Sequence, residues 1–148
     1  MSDLRLVRLL AQVRSDRAID PIAVALILTE MRFRGPLFRL CEVILAWWII
    51  FIARDEPRLT LGTCQVTFSY WRQRFGRDNR KILTAAFDDL ENYEVCTLYL
   101  SQHQSHSLEN ILIRYNGRPS HLYANLFHKN LKRVRSLIVR LDEPPTLS

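Results

Sequence analysis

The segment 20–36 reads DPIAVALILTEMRFRGP, an apolar helix sequence with a start signal, a stop signal and one acidic residue near its end. Asp20 followed by Pro21 predicts the helix start, because an aspartate caps free amide groups and proline fits the first helical position. The Gly-Pro pair at its end predicts that this helix stops and the next begins. Glu30 therefore lies at the rim of an apolar helix, where we expect its carboxyl group to be partly desolvated.

Partial desolvation gives Glu30 a possible chemical role. Loss of water disfavours the charged form of a carboxyl group and raises its pKa. A general acid that cleaves a glycosidic bond near neutral pH needs a raised pKa of this kind. The structural alternative is an ordinary ion pair, for which Arg32 and Arg34 are available.

The longest apolar run is VILAWWIIFIA, residues 43–53, between Glu42 and Arg54. As a helix it would span about half of the ~30 Å hydrocarbon core of a bilayer, which argues against a membrane span. We predict a helix buried on nearly all sides in the middle of the domain. Contact with one face of a membrane is the alternative.

The rest of the chain predicts one compact all-α domain over residues 1–148, with at most a small β element near 60–68. Alternating polar and apolar residues favour a short strand or turn there, and the sequence YNGRPS predicts a turn after residue 114. Apolar spacing and glycine or proline breaks predict further helices within 1–19 and over 70–75, 88–99, 108–114 and 121–141. We expect residues 142–148 to form a flexible tail.

Composition limits the classes of partner and excludes some kinds of site. The 148 residues carry 48% hydrophobic side chains and a formal charge of +6, which fits a globular domain with an anionic partner such as nucleic acid, lipid or cell-wall polymer. Cys41, Cys64 and Cys96 are odd in number and widely separated, so neither a disulfide framework nor a zinc site is expected. His103 and His106 lack nearby carboxylate or cysteine ligands, and we therefore expect no metal and no cofactor.

Three segments carry a resemblance, in this order along the chain: ILTEMRF around Glu30, LGTCQVTFSYWRQRFG at 61–76 and ILIRYNGRPS at 111–120. Together they resemble the lysozyme-like superfamily, in particular soluble lytic transglycosylases and goose-type lysozymes. In that family a catalytic glutamate ends a buried helix and is followed by a Gly-x-x-Gln-[Ile/Val] turn and a later Tyr-Asn-Gly-like turn. The resemblance covers residues 20–135 and implies a single lysozyme-like domain with a substrate cleft.

The resemblance also implies roles for individual residues. Glu30 would be the catalytic acid, and Gly62, Gln65, Tyr115 and Asn116 would bind substrate. A glycine allows the backbone to approach a sugar ring closely, and a glutamine side chain both donates to and accepts from acetamido or hydroxyl groups.

The sequence also departs from the family pattern. Met31 follows the acid where transglycosylases usually have serine, and the interval before the glycine turn is long, as in the goose-type branch. In that branch acidic residues before the turn can position a water molecule. Asp55 and Glu56 occupy a comparable place and are the candidates for a second carboxylate.

We therefore expect a peptidoglycan-cleaving glycosidase, a muramidase or lytic transglycosylase, that acts on the β-1,4 bond between N-acetylmuramic acid and N-acetylglucosamine. Peptidoglycan strands would be its partner, with no nucleic acid and no transmembrane span. The alternatives are a basic helical nucleic-acid-binding or adaptor protein, and an inactive lysozyme-like scaffold that binds glycan. Without a recognisable secretory signal, we expect synthesis in the cytoplasm and action at the cell wall after phage-type release or dedicated secretion.

Overall fold

The computed structural model describes residues 3–16 and 18–142, which form eight α-helices and one short hairpin. The all-α prediction is confirmed at this level, since 75% of the described residues are helix and 3% are strand. The elements in chain order are α1 (Asp3–Asp16), α2 (Pro21–Phe33), α3 (Pro36–Trp48) with a π-helical extension (Ile49–Ala53), β1 (Thr60–Leu61), β2 (Val66–Thr67), α4 (Phe68–Phe75), α5 (Asn79–Ala85), α6 (Asp89–Gln102), α7 (Leu108–Asn116) and α8 (His121–Asp142).

The apolar helix α2 is the centre of the fold. Residues 23–30 are all buried, with α8 and α6 packed against the helix. The predicted cap is confirmed, because Asp20 Oδ1 accepts a hydrogen bond from the Ile22 amide at 2.8 Å. Polar contact also ties α2 to α8, since the Asn130 side chain donates to the Thr29 hydroxyl at 3.0 Å. The buried end of α2 is therefore held in a fixed position relative to α8.

The predicted β element is a two-stranded antiparallel hairpin in which Thr60 pairs with Thr67. Its turn is anchored from behind by Asn92 of α6, a residue that is fully buried. The Asn92 side chain accepts a hydrogen bond from the Cys64 amide at 3.0 Å and donates to the Ala86 carbonyl at 3.1 Å. These contacts fix the turn against the helical core.

The prediction that the apolar run is buried on nearly all sides is wrong. Ala46 is the one buried residue of α3. The cause is that Arg39 and Glu42 turn inward and make polar contacts, so most of the apolar side chains face outward. The continuous helix Pro36–Ala53 has 18 residues, and within the described chain it is the one helix long and apolar enough to cross a membrane by length and composition.

Several helices also differ from the sequence prediction. Helix α5 was not predicted, although Asp78 caps it by accepting from the Lys81 amide at 3.0 Å. Helix α7 runs two residues further than predicted, so Tyr115 and Asn116 lie in its last turn and the reversal begins at Gly117. Of the predicted tail 142–148, Asp142 ends α8 and residues 143–148 lie outside the described residues.

Replacement of Gly62 by alanine tests the close packing of the hairpin turn. A Cβ there would lie 2.2 Å from Asn92 Oδ1 and 2.8 Å from the Trp71 ring, at a backbone φ of +75°. Gly117 is the matched control, since its φ is +76° but nothing lies within 4 Å of its Cβ position.

We expect Gly117→Ala to lower the free energy of unfolding by about 1–2 kcal/mol through left-handed strain alone. Gly62→Ala should cost about 1–3 kcal/mol more, because of overpacking. Urea unfolding measures both losses. Equal losses in the two variants would show that the turn does not pack as described.

Candidate functional site

The carboxyl group of Glu30 is buried at the end of α2, with the residue only 2% exposed. Its Oε1 accepts a hydrogen bond from the Tyr123 hydroxyl of α8 at 2.7 Å. Its Oε2 lies 3.5 Å from Arg34 Nε, one helical turn further along the chain, but receives no hydrogen bond within the described residues. The two oxygens of one carboxyl group therefore have different surroundings.

Burial raises the pKa of Glu30, and the negative charge of Glu42 raises it further. The Tyr123 hydrogen bond and the charge of Arg34 act in the opposite direction, but burial is the largest effect. Because Oε1 already accepts from Tyr123, Oε2 is the oxygen with room for a proton. This is the arrangement that a general acid requires.

Arg34 connects Glu30 to a second glutamate, Glu42, which is partly buried. Its Nη1 lies 3.5 Å from Glu42 Oε1, so one guanidinium contacts both carboxyl groups. Gln65 Nε2 donates to Glu42 Oε2 at 2.6 Å, and the Thr60 hydroxyl lies 3.2 Å from Oε1. Glu42 was not predicted as a site residue, although it is the only acidic residue between Glu30 and Asp55 in the sequence. We call Glu30, Arg34, Glu42, Gln65 and Tyr123 the glutamate cluster.

Gln65 holds the hairpin turn against the glutamate cluster. Its side-chain oxygen accepts from Arg34 and lies 2.8 Å from the Thr60 hydroxyl, while its nitrogen donates to Glu42 and to the Gly62 carbonyl at 2.9 Å. Its backbone φ is +50°, in the left-handed region that non-glycine residues seldom adopt. Strain of this kind persists where surrounding contacts enforce it, often at functional sites.

The two predicted substrate-binding residues of α7 have structural contacts. The Tyr115 hydroxyl donates to the Cys64 carbonyl and so supports the hairpin turn, while Tyr123 is the tyrosine that contacts the acid. Asn116 donates from its side chain to the Arg118 carbonyl at 3.0 Å. Gly62 packs against Asn92 and Trp71 at the position that a Cβ would occupy. This side of the glycine therefore faces protein and not open space.

Asp55 and Glu56 lie in an exposed loop after the π-helical extension. Glu56 pairs with Arg72 of α4 at 3.1 Å, and Asp55 Oδ1 accepts from the Glu56 amide at 2.7 Å. Neither makes a hydrogen bond or an ion pair with the glutamate cluster among the described contacts. The structure therefore brings Glu42, and not these two residues, to Glu30.

Access to Glu30 depends on the side chains that cover it. A pocket of about 410 Å³ between α7 and α8 reaches the cluster at Tyr123. Arg34, with a side chain 30% exposed, lies between the two carboxyl groups. Oε2 itself is buried, and Arg34 lies beside it.

Comparisons with protein-family models, with curated proteins and with solved structures found no match to this chain.

The raised pKa of Glu30 predicts how stability depends on pH. A carboxyl group whose pKa is higher in the folded state stabilises folding below its ordinary pKa of 4.5, and this contribution is lost as pH rises through the folded-state pKa. Glu30→Gln stays neutral at every pH. We therefore expect the free energy of unfolding of the variant, relative to wild type, to increase as pH rises above 4.5.

Chemical denaturation at a series of pH values measures this difference. Glu109→Gln, a change of the same kind at an exposed position in α7, is measured beside it for comparison. A constant difference between Glu30→Gln and wild type across the series would contradict a raised pKa.

Proposed function

We propose that this protein is a peptidoglycan-cleaving glycosidase with a lysozyme-like fold, in which Glu30 is the general acid. The observation that carries the proposal is the pair of unlike oxygens on the buried Glu30 carboxyl group: Oε1 accepts from Tyr123, and Oε2 has no hydrogen bond within the described residues. The order of the Glu30, Gly62–Gln65 and Tyr115 segments, with its resemblance to lytic transglycosylases and goose-type lysozymes, supports the choice of substrate.

In the proposed reaction, Glu30 Oε2 gives its proton to the glycosidic oxygen as the bond between that oxygen and the anomeric carbon of N-acetylmuramic acid breaks. Burial supports this role, because it favours the protonated acid before the reaction. Arg34 has to leave its place beside Oε2 to admit the sugar. It then remains available to balance the negative charge that develops on Glu30.

Glu42 is suited to the complementary role of a carboxylate base. Burial raises the pKa of Glu42. Both of its oxygens have polar partners, from Gln65, Thr60 and Arg34, and these contacts act in the opposite direction and favour the ionised form. Inverting glycosidases keep their two carboxyl groups about 6.5–9.5 Å apart to leave room for a water molecule. Here the Arg34 guanidinium fills the space between the carboxyl groups, so its departure would leave room for that water.

Two products are compatible with this arrangement. If water attacks the anomeric carbon and gives its proton to Glu42, the product is a reducing end. If the 6-hydroxyl of the muramyl sugar attacks and gives its proton to Glu30, now a carboxylate, the product is an anhydro ring. Glu42→Gln should therefore lower activity about 100-fold in the first case and far less in the second.

Digestion of purified peptidoglycan, followed by mass spectrometry of the fragments, tests the proposed activity. Wild type should release muropeptides, and Glu30→Gln should release them at least about 100 times more slowly, because proton donation by a positioned acid contributes this much. Glu91→Gln, which removes a carboxylate paired with Arg74 outside the glutamate cluster, should keep the wild-type rate. Circular dichroism confirms that each variant is folded.

Undiminished activity in Glu30→Gln would contradict the role of Glu30. Binding of glycan without release of fragments by wild type would favour the inactive scaffold. Binding of nucleic acid in place of glycan would favour the nucleic-acid-binding alternative.

Tyr123→Phe tests the contact between the tyrosine and the acid. Its hydroxyl lowers the pKa of Glu30, so its loss should raise that pKa. A general acid is active only while protonated, and we therefore expect the variant to keep its activity to a higher pH than wild type. Tyr70→Phe, a tyrosine of α4 that packs against Tyr99, is the control. If the pH–activity profile of Tyr123→Phe falls at the same alkaline pH as that of wild type, the contact between Tyr123 and Glu30 is contradicted.

A further inference from the structure

One large apolar surface is left uncovered on the outer side of α3 and its extension. We call it the α3 surface and define it by six side chains that are about half exposed or more: Leu37, Ile44, Leu45, Trp47, Trp48 and Ile52. Exposed apolar patches of this extent mark sites of interaction with proteins or membranes. The proposed glycosidase activity does not use this surface.

The α3 surface offers very few groups for hydrogen bonding. The only charged residues between 36 and 53 are Arg39 and Glu42, and both turn inward. Arg39 donates to the Arg34 carbonyl at 3.0 Å, and Glu42 belongs to the glutamate cluster. A protein partner is usually met by an apolar core with polar groups around it. The hydrocarbon of a bilayer needs no polar partner, which fits this surface better.

Several features of the α3 surface and its surroundings favour a lipid headgroup region. Trp47 and Trp48 belong to the surface and are about half exposed, and tryptophan is enriched where hydrocarbon meets water. Arg32 is exposed before α3, and the segment 54–58 beyond the extension carries two exposed arginines and two exposed acidic residues. The net charge of +6 matches the negative charge of an anionic lipid surface.

A further apolar side chain extends the α3 surface. Phe87, which is 58% exposed, lines a groove with Trp47 and Ile44 on one side. On its other side it lines a groove of mixed charge, in which Arg5 pairs with Asp89. The apolar region therefore continues across Phe87 to a charged edge on α1. An apolar face with a charged boundary is the pattern of a helix that lies in a membrane interface.

We propose that the α3 surface docks onto the surface of an anionic phospholipid bilayer, with the helix Pro36–Ala53 lying in the plane of the membrane. A spanning orientation would carry Arg39 and Glu42 into hydrocarbon and break their contacts with Arg34 and Gln65, both at a large cost. The in-plane orientation keeps these contacts and buries only the outer face. This inference does not depend on the proposed glycosidase activity.

Vesicle cosedimentation of the purified full chain tests the proposal. The vesicles contain either phosphatidylcholine alone or phosphatidylcholine mixed with phosphatidylglycerol. Trp48→Glu places a charge in the α3 surface, and Leu122→Glu places the same charge at a solitary exposed leucine of α8. Fluorescence adds a second readout, since Trp71 is fully buried whereas Trp47 and Trp48 are exposed.

We expect wild type and Leu122→Glu to bind the anionic vesicles at least about ten times more tightly than the neutral ones, with a blue shift of tryptophan emission. Trp48→Glu should bind at least about ten times more weakly than Leu122→Glu, because a charge is costly to bury in lipid. High salt should weaken binding, and an alkaline carbonate wash should release the protein.

Three results would overturn the proposal. The first is that wild type binds neither kind of vesicle and forms a dimer in sedimentation equilibrium, whereas Trp48→Glu is a monomer. This result would mean that a second copy of the chain covers the α3 surface. The second is equal binding of Trp48→Glu and Leu122→Glu. The third is binding that resists the carbonate wash, which would indicate a helix that spans the bilayer.

Discussion

The carboxyl group of Glu30 has to find its partners inside the protein, because α2 buries its whole segment 23–30. A buried polar group without a partner costs about 1–3 kcal/mol. Tyr123 meets this need at Oε1, and Oε2 has only the charge of Arg34 at 3.5 Å. Arg34 in turn contacts Glu42, which Gln65 holds from the hairpin turn. One chain of polar contacts therefore fixes how α8, α3 and the hairpin meet at the end of α2.

The same contacts make the two glutamates unequal. Glu42 has polar partners on both oxygens, whereas Glu30 has a hydrogen bond on one oxygen and only the more distant Arg34 beside the other. Burial raises the pKa of both groups, but the uneven supply of donors favours a proton on Glu30. A pair of carboxyl groups in unlike surroundings is the pattern that assigns acid and base roles in many hydrolytic sites.

Much of the fold could be predicted from the sequence, because Asp20-Pro21, Gly35-Pro36 and Gly76 are local signals that act through the backbone. The exposure of α3 could not be predicted, because an apolar run does not show whether the rest of the domain is large enough to cover the helix. In the site, Glu30 and Gln65 were predicted and lie within one cluster. Glu42 and Tyr123 were missed. Glu42 contacts Gln65, 23 positions along the chain, and Tyr123 contacts Glu30 across 93 positions, and no local sequence signal marks such distant pairs.

The proposed role of Glu30 in proton transfer depends on its raised pKa. Nuclear magnetic resonance of the side-chain carboxyl carbons, followed through a pH titration and assigned by the signal lost in Glu30→Gln, measures this directly. We predict that Glu30 titrates above the ordinary value of 4.5. A titration at or below that value would contradict the account, since a carboxyl group already ionised at neutral pH has no proton to donate.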